Sequence, residues 1–458
     1  MDTDVVVVGG GNAALAAAIT ARRAGAEVVL LERAPERMRG GNTRHTRDIR
    51  FAHDGPLPHA PGAYAVEEFY EDLLRVTGGE TNRALAEIVL RESARVPGWM
   101  GEQGVHWQPA LRDTLHLART NAFFLGGGKA LVNAYYDTAL RLGVHVRYDA
   151  TVTALTGEGR RVDGVGLDGG ERIACRTVVV AAGGFEANLP WLAEYWGDAA
   201  QRFVVRGTPY NTGLVLRALY ERGAARIGDP RGFHATACDA RAPRFDGGIV
   251  TRIDAIPFGI VVGANAERFY DEGEELWPKR YAIWGKLIAE QPRQSACVVF
   301  DAKVHGRFIP SAFPALRAGS IPELAALLEL DPAALAATVA AYNAAIVPGG
   351  TFHPDQLDDC ATRGLVPPKS HWALPIDTPP FYGYPLRAGI TFTYLGVAVT
   401  DDARVLADGG APFENLFAAG ECMAGNILSR GYLAGFGLTI GTVFGRIAGA
   451  EAARHARP

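Results

Sequence analysis

Gly9, Gly10 and Gly11, followed by Asn12, Ala13 and Ala14, sit between the valine run Val5–Val8 and a helix-forming stretch, Asn12–Arg23. Glycines at such a junction bring the backbone within hydrogen-bonding reach of a pyrophosphate, which the N–H groups opening the helix then hold. Glu32 closes the next apolar run, Val28–Leu31, about 20 residues on, where a carboxylate accepts hydrogen bonds from an adenosine ribose. Alone, the glycines predict only a tight turn. Strand, glycines, helix, strand and acid in register predict a dinucleotide site, and the acid favours a free 2′-hydroxyl. Two more apolar runs end in glycine corners. Val178–Val180 leads into Ala182, Gly183 and Gly184, and Leu416–Ala419 leads into Gly420 and Glu421. The loop with Arg44, His45, Arg47 and Arg50 gathers cations, either as solvated surface or as a seat for a small anion. Cys422 has no neighbouring Cys and reads as a packing residue.

The elements that must carry these residues begin with a βαβ unit over the first thirty-odd positions. An irregular, Arg-rich segment follows from Arg33 to Asp54. Helical spacing then predicts two helices between Glu67 and Gln103, broken at Thr77-Gly78-Gly79, and another from Lys129 after Gly126-Gly127-Gly128. Short strands are expected at Val144–Tyr148, Val152–Leu155, Gly164–Leu167, Arg172–Cys175 and Val178–Ala181, and a closing helix from Phe436 to Arg454. The stretch from Phe233 to Pro380 mixes strand-like and Ala/Leu-rich segments and reads as a second domain.

Composition narrows the function classes. Among 458 residues, Lys+Arg 46 against Asp+Glu 50 gives a net charge of −4, which argues against a nucleic-acid partner held by bulk charge. Gly numbers 55, well above the usual share of about 7%, so many backbone sites need tight turns or close approach. Five scattered cysteines without a C-x-x-C pair argue against disulfides, a zinc site or a metal cluster, and suit a reducing cytoplasm. No leader or membrane-spanning stretch is evident, since the run from Gly431 to Gly445 is short and broken by glycine.

The glycine corners, together with Arg39-Gly40-Gly41-Asn42-Thr43, resemble the FAD-dependent fumarate reductase/succinate dehydrogenase flavoproteins over nearly the whole chain. Within them, the stretches Arg33–Arg47, Trp277–Tyr281 and Gly389–Gly396 resemble the tricarballylate dehydrogenases. The resemblance implies an α/β protein. A Rossmann-like FAD-binding domain (residues 1–231 and 381–458) would be interrupted by an α+β capping domain (residues 232–380). It implies FAD contacts from Gly9, Gly11, Asn12, Ala13, Ala14, Glu32, Arg33, Gly40, Gly41, Asn42, Thr43, Val152, Ala182, Gly183, Gly184, Gly420, Glu421, Gly437 and Leu438. Asn42 stands near the position of the covalent flavin His of succinate dehydrogenases, so noncovalent FAD is expected, with His45 three positions away.

By the same resemblance, His234 binds a substrate carboxylate, Arg280 moves the proton and Arg430 clamps a second carboxylate. Arg forks suit carboxylates bidentately. Thr391 and Thr393 stand where soluble fumarate reductases carry a His-His-Thr run, and Arg44 and His45 add cations for a tricarboxylate. The implied reaction takes two hydrogens from a small anionic substrate of the tricarballylate type, and a separate membrane-bound partner receives the electrons. A rival is a desaturase or reductase of a ring ketone or enone, as in the related 3-ketosteroid dehydrogenases, or a tailoring enzyme of a biosynthetic pathway, with Tyr281, Phe392, Tyr394 and Tyr432 lining an apolar pocket. Converging Arg forks would favour the acid and aromatic walls the ketone.

Overall fold

The valine run forms the centre of a parallel sheet in the computed structural model, which describes residues 2–110 and 117–457. The strand Asp2–Val8 lies between Val28–Leu31 and Arg172–Val180. Beyond them lie His145–Arg147 on one side and Pro412–Ala418 on the other, all parallel, with Arg404–Leu406 antiparallel at the edge. Val5 to Val8 are buried on both faces, as continuous apolar strands of a parallel sheet should be. The hairpin of Val152–Thr156 and Gly164–Leu167 attaches through Arg172–Val180. This is the α/β, Rossmann-like architecture expected.

Two helices lie against this sheet and against each other, Asn12–Arg23 and Phe436–Ala456. Their closeness depends on missing side chains. A Cβ at Gly445 would stand 2.5 Å from the Ala13 carbonyl oxygen, and one at Gly449 would stand 2.2 Å from that of Ala17. Gly441, Gly445 and Gly449 recur every fourth residue, so they share one face.

A second sheet runs in the order Phe233–Asp239, Phe381–Thr393, Ala296–Asp301, Ile260–Gly263, with Leu316–Ala318 and Val204–Val205 also on Phe381–Thr393. The helices Ile321–Leu327 and Pro332–Ala345 build a separate apolar cluster on it. The second sheet's central strand, Phe381–Thr393, lies beyond residue 380, and the short strand Val204–Val205 paired to it lies before residue 232. Phe381–Thr393 is long enough to begin in the second sheet and end against the first sheet's glycine corners.

Several local expectations shift. Glu67 to Gln103 holds three helices, Val66–Thr77, Arg83–Ser93 and Val96–Glu102, the third opened by Pro97, whose missing N–H is harmless there. Gly78 ends the first in the left-handed region, φ 64°. Arg172–Val180 is one strand rather than two, and the helix expected from Lys129 starts at Gly127. No helix among the described residues is long and apolar enough to cross a membrane.

Candidate functional site

A long cavity begins at the glycine turn and ends between the two sheets. At its near end Gly9 has φ +115°, and a Cβ there would meet the Ala181 carbonyl oxygen at 2.3 Å. A Cβ at Gly10 would strike Tyr136 Oη at 2.2 Å and Glu32 Oε2 at 2.3 Å, whereas Gly11 has no contact closer than 3.4 Å. Backbone is therefore packed on one side and open on the other. The helix behind it has no side-chain cap, so most of its first N–H groups face the cavity without intrahelical acceptors. Thr43 Oγ1 accepts one of them, from Asn12, at 2.9 Å. Asn12 Nδ2 also donates to Leu438 O and Thr442 Oγ1, both at 3.0 Å. That side chain ties together the N-termini of two helices, whose dipoles both favour negative charge.

Glu32 Oε1 accepts from the Ala34 N–H at 2.9 Å and Oε2 from the Gly40 N–H at 3.2 Å. Burial raises its pKa, and these backbone bonds oppose the rise. Arg33, Val152, Tyr210 and Thr212 line the same end. These features fit FAD: an open glycine cradle at an uncapped helix N-terminus for the pyrophosphate, and a held carboxyl for the ribose.

Midway, Asn42 Nδ2 donates to Glu186 Oε1 at 2.5 Å and to Thr391 O at 2.7 Å, and its Oδ1 accepts the Thr208 N–H at 2.8 Å. Glu421 Oε1 accepts from the Thr393 backbone N–H at 2.8 Å and its hydroxyl at 3.1 Å. Burial raises the pKa of both Glu186 and Glu421, so the pair favours holding a proton. Gly435, φ 79°, opens the helix Phe436–Ala456, and the Gly437 N–H donates to Tyr432 Oη at 2.8 Å.

At the far end the walls are Arg206, Arg252, His234, His45, Thr391, Ile249, Tyr281, Phe392 and Tyr432. Arg206 follows the strand Val204–Val205, and its N–H bonds to Ile390 O at 2.9 Å. Its Nε donates to Thr391 Oγ1 at 2.8 Å, while Nη1 is buried without a partner among the described residues. Arg252 Nη2 donates to Asp254 Oδ2 at 2.9 Å, its Nε lies 2.6 Å from Oδ1 as an ion-pair contact without a hydrogen bond, and its guanidinium lies 4.6 Å from the Tyr281 ring centre. His234 sits where the strand register shifts, an irregularity that re-aims a side chain. Its ring stacks on Tyr432 at 4.0 Å, and Nε2 is buried without a partner among the described residues. Burial, with Arg206 and Arg252 nearby, holds its pKa well below 6.5.

Of the expected cofactor residues, Gly9, Gly11, Asn12, Ala13, Glu32, Arg33, Gly41, Asn42, Thr43, Val152, Ala182, Gly183, Gly420, Glu421, Gly437 and Leu438 line the cavity. Ala14 is fully buried behind it, Gly40 packs on Val132, and the space beside Gly184 is filled by Thr393 and Glu421. Of the expected substrate residues, His234, Thr391 and His45 line it. Thr393 is turned to Glu421, and His45 Nε2 is held by Asp246. Arg44 Nη2 reaches the same Asp246 at 4.0 Å.

The structure does not bring Arg280 or Arg430 to the cavity. Arg280 is engaged by Glu274 at 2.7 Å and Tyr270 Oη at 2.7 Å. The Arg430 side chain is 62% exposed, with Nε on Thr77 O at 3.0 Å and Nη2 3.6 Å from Glu80. In both cases a nearer acceptor outside the cavity satisfies the fork. Arg206 and Arg252 stand there instead, and sequence reasoning missed both. The only local signal was an arginine following two valines and preceding Gly207-Thr208-Pro209, one more apolar run ending at a turn. Cys422 is buried with Sγ on the Val180 and Ala419 carbonyls, both at 3.2 Å, which is a packing role.

Comparison with known proteins gives a family model described as FAD binding domain, matching residues 4–437. The NADH:fumarate oxidoreductase of Klebsiella pneumoniae (strain 342) is 27% identical over 99% of this chain and 48% of its own length, so the chain spans about half of that relative. The 4-oxocyclohexanecarboxylate 2-dehydrogenase of Sinomonas cyclohexanicum is 29% identical over 96% of this chain and 90% of its own. Among solved structures, the open conformation of a flavocytochrome c3 fumarate reductase superposes with TM-score 0.75 at 24% identity, covering 100% of this chain and 79% of that one.

Proposed function

Because the chain belongs to the FAD binding domain family, as a flavoprotein oxidoreductase, we propose that it moves two hydrogens between adjacent carbons and a bound FAD, on a small carboxylate. The observation that carries this reading is Arg206: a guanidinium 4% exposed, lining the cavity, with Nη1 unpartnered and in no ion pair among the described residues. A buried charge left unanswered is costly, and a substrate carboxylate answers it. Two relatives named for carboxylates agree with this reading.

FAD, when bound, supplies the two-electron acceptor: one C–H bond gives up a hydride, the neighbouring C–H gives up a proton, and a C=C bond remains. Gly9, Gly11, the first turn of Asn12–Arg23 and Glu32 would hold its pyrophosphate and ribose. Asn42, Gly183, Gly420, Glu421 and Gly437 would flank its redox end. Asn42 offers no histidyl attachment and His45 is engaged by Asp246, so attachment is noncovalent; acid precipitation should release all the flavin. In this reading His234, which lines the cavity and whose pKa burial lowers, takes or gives the proton through Nε2, and Arg280, which does not line it, stands apart. Phe392, Tyr432 and Tyr281 keep water from the reacting carbons. A separate membrane-bound carrier takes the electrons in this reading, and the five unpaired cysteines suit a cytoplasmic location.

Within this class the sequence resemblance favours tricarballylate, oxidised to cis-aconitate. The aromatic walls favour a ring ketone, and the two readings ask different things of the charged groups. The test is anaerobic bleaching of the FAD-loaded protein by small acids, followed by turnover with a dye acceptor. Bleaching by a carboxylate and not by its methyl ester is expected; equal bleaching by both would refute carboxylate recognition.

A further inference from the structure

The charged groups around the far end of the cavity say how many carboxylates it takes. Three buried or nearly buried guanidiniums gather there, Arg47, Arg206 and Arg252, with two buried carboxylates, Asp48 and Asp254. Arg252 is answered by both oxygens of Asp254. Arg47 lies 3.4 Å from Asp48 and 3.8 Å from Asp254. Burial lowers the pKa of His45 against the pull of Asp246, which holds its Nε2 and in turn has Arg44 at 4.0 Å. Arg47 Nε and Nη2 make no hydrogen bond within these ion pairs, but Arg206 is the one guanidinium of the three that lies in no ion pair among the described residues and also lines the cavity.

The rest of the wall is not built for more anions. Tyr281, Phe392, Tyr432 and Ile249 present ring and aliphatic surface, and His234 stacks flat on Tyr432 at 4.0 Å. Asp48 itself lines the cavity, so a second substrate carboxylate would find a like charge and cations already neutralised, which opposes its ionised form. Resting on the carboxylate reading above, we propose that the substrate is a monocarboxylate with an apolar, ring-like body. Its carboxylate seats on Arg206 Nη1, steadied by Thr391, and its ring lies between Phe392, Tyr432 and Tyr281 with the reacting carbons toward His234. Gly389 lies beneath both Cys238 and the Arg206 stem; a Cβ there would meet Cys238 Sγ at 2.2 Å and Arg206 Cδ at 3.3 Å. Arg206 is thus the specificity-determining residue, and the tricarboxylate expectation gives way to a single anchor.

The experiment uses the FAD-loaded full chain with 4-oxocyclohexanecarboxylate, its methyl ester, succinate and tricarballylate as reductants. Benzoate serves as an unreactive ligand, read by the shift it causes in flavin absorbance. Expected is bleaching by the ring monocarboxylate at concentrations at least 100-fold below those needed for succinate or tricarballylate, with the ester inert. In Arg206→Ala the benzoate shift is lost and KM for the ring acid rises by about 100-fold, while the flavin spectrum and Tm show a folded, loaded protein. Arg206→Lys restores part of the binding. Bleaching by tricarballylate or succinate at lower concentration than the monocarboxylate overturns the single-anchor proposal and leaves the carboxylate reading intact. Bleaching by the ester as readily as by the acid overturns both. An unchanged benzoate shift in Arg206→Ala moves the anchor elsewhere and overturns the role of Arg206.

Discussion

At the scale of single residues, the unanswered charge on Arg206 and the unprotonated ring of His234 have consequences beyond catalysis. Without substrate, Arg206 is a buried guanidinium lacking a carboxylate, so an apolar side chain of similar length relieves the site. Arg206→Met should therefore raise the stability of the substrate-free protein by about 1 kcal/mol or more while abolishing acid binding, checked by thermal melts beside ligand titrations. Burial keeps His234 neutral with a pKa well below 6.5, whereas the unfolded chain protonates its imidazole in the ordinary range. The folded state then binds fewer protons, so stability present above the unfolded pKa is lost as pH falls through about 6.5, by about 1.4 kcal/mol per unit. His234→Gln should flatten that slope in Tm against pH. A remainder is expected, because burial also lowers the pKa of His45. Arg280→Ala and Arg430→Ala should leave kcat/KM within a few-fold of the parent. A loss on the order of 100-fold in either would mean the side chain reaches substrate in another conformation. His234, expected at the site, lines the cavity; sequence could not separate Arg206 and Arg252 from the other arginines, since burial and, for Arg206, the absence of an ion pair among the described residues are properties of the packed molecule.

At the scale of elements, the glycine excess divides between two physical causes. Gly9, Gly11, Gly183 and Gly420 follow apolar runs and line the cavity, and Gly437 lines it from the first turn of the closing helix. Gly441, Gly445 and Gly449 serve helix packing instead, allowing Phe436–Ala456 to lie against the Ala13 and Ala17 backbone. Gly445→Val would drive a branched side chain into the Ala13 carbonyl and should cost about 1–3 kcal/mol. It should also weaken FAD binding, because the same shift displaces Asn12, which bonds Leu438 O and Thr442 Oγ1. A Tm unchanged by Gly445→Val would contradict this packing. The every-fourth-residue spacing was legible in the sequence; the partner helix, separated by more than 400 positions, was not.

At the scale of the whole molecule, the cavity lies where the parallel sheet's glycine corners meet the end of the strand Phe381–Thr393, so ligand binding should couple to global stability. FAD at about 100 times its Kd should add about 2.7 kcal/mol to unfolding, read as a rise in Tm on reloading the stripped protein. Glu32→Ala should shrink that rise. The βαβ order, the glycine turn, the acid after the second strand and the corners at Gly183 and Gly420 were all set by local pattern, because a period of apolar residues and a turn requirement act over a few positions. Which cations line the cavity was decided by tertiary structure alone. A guanidinium goes to the nearest good acceptor in space, and for Arg280 and Arg430 those acceptors lie outside the cavity. For Arg206, the bulge-bearing strand, Gly389 and Thr391 leave the fork buried and open to a ligand.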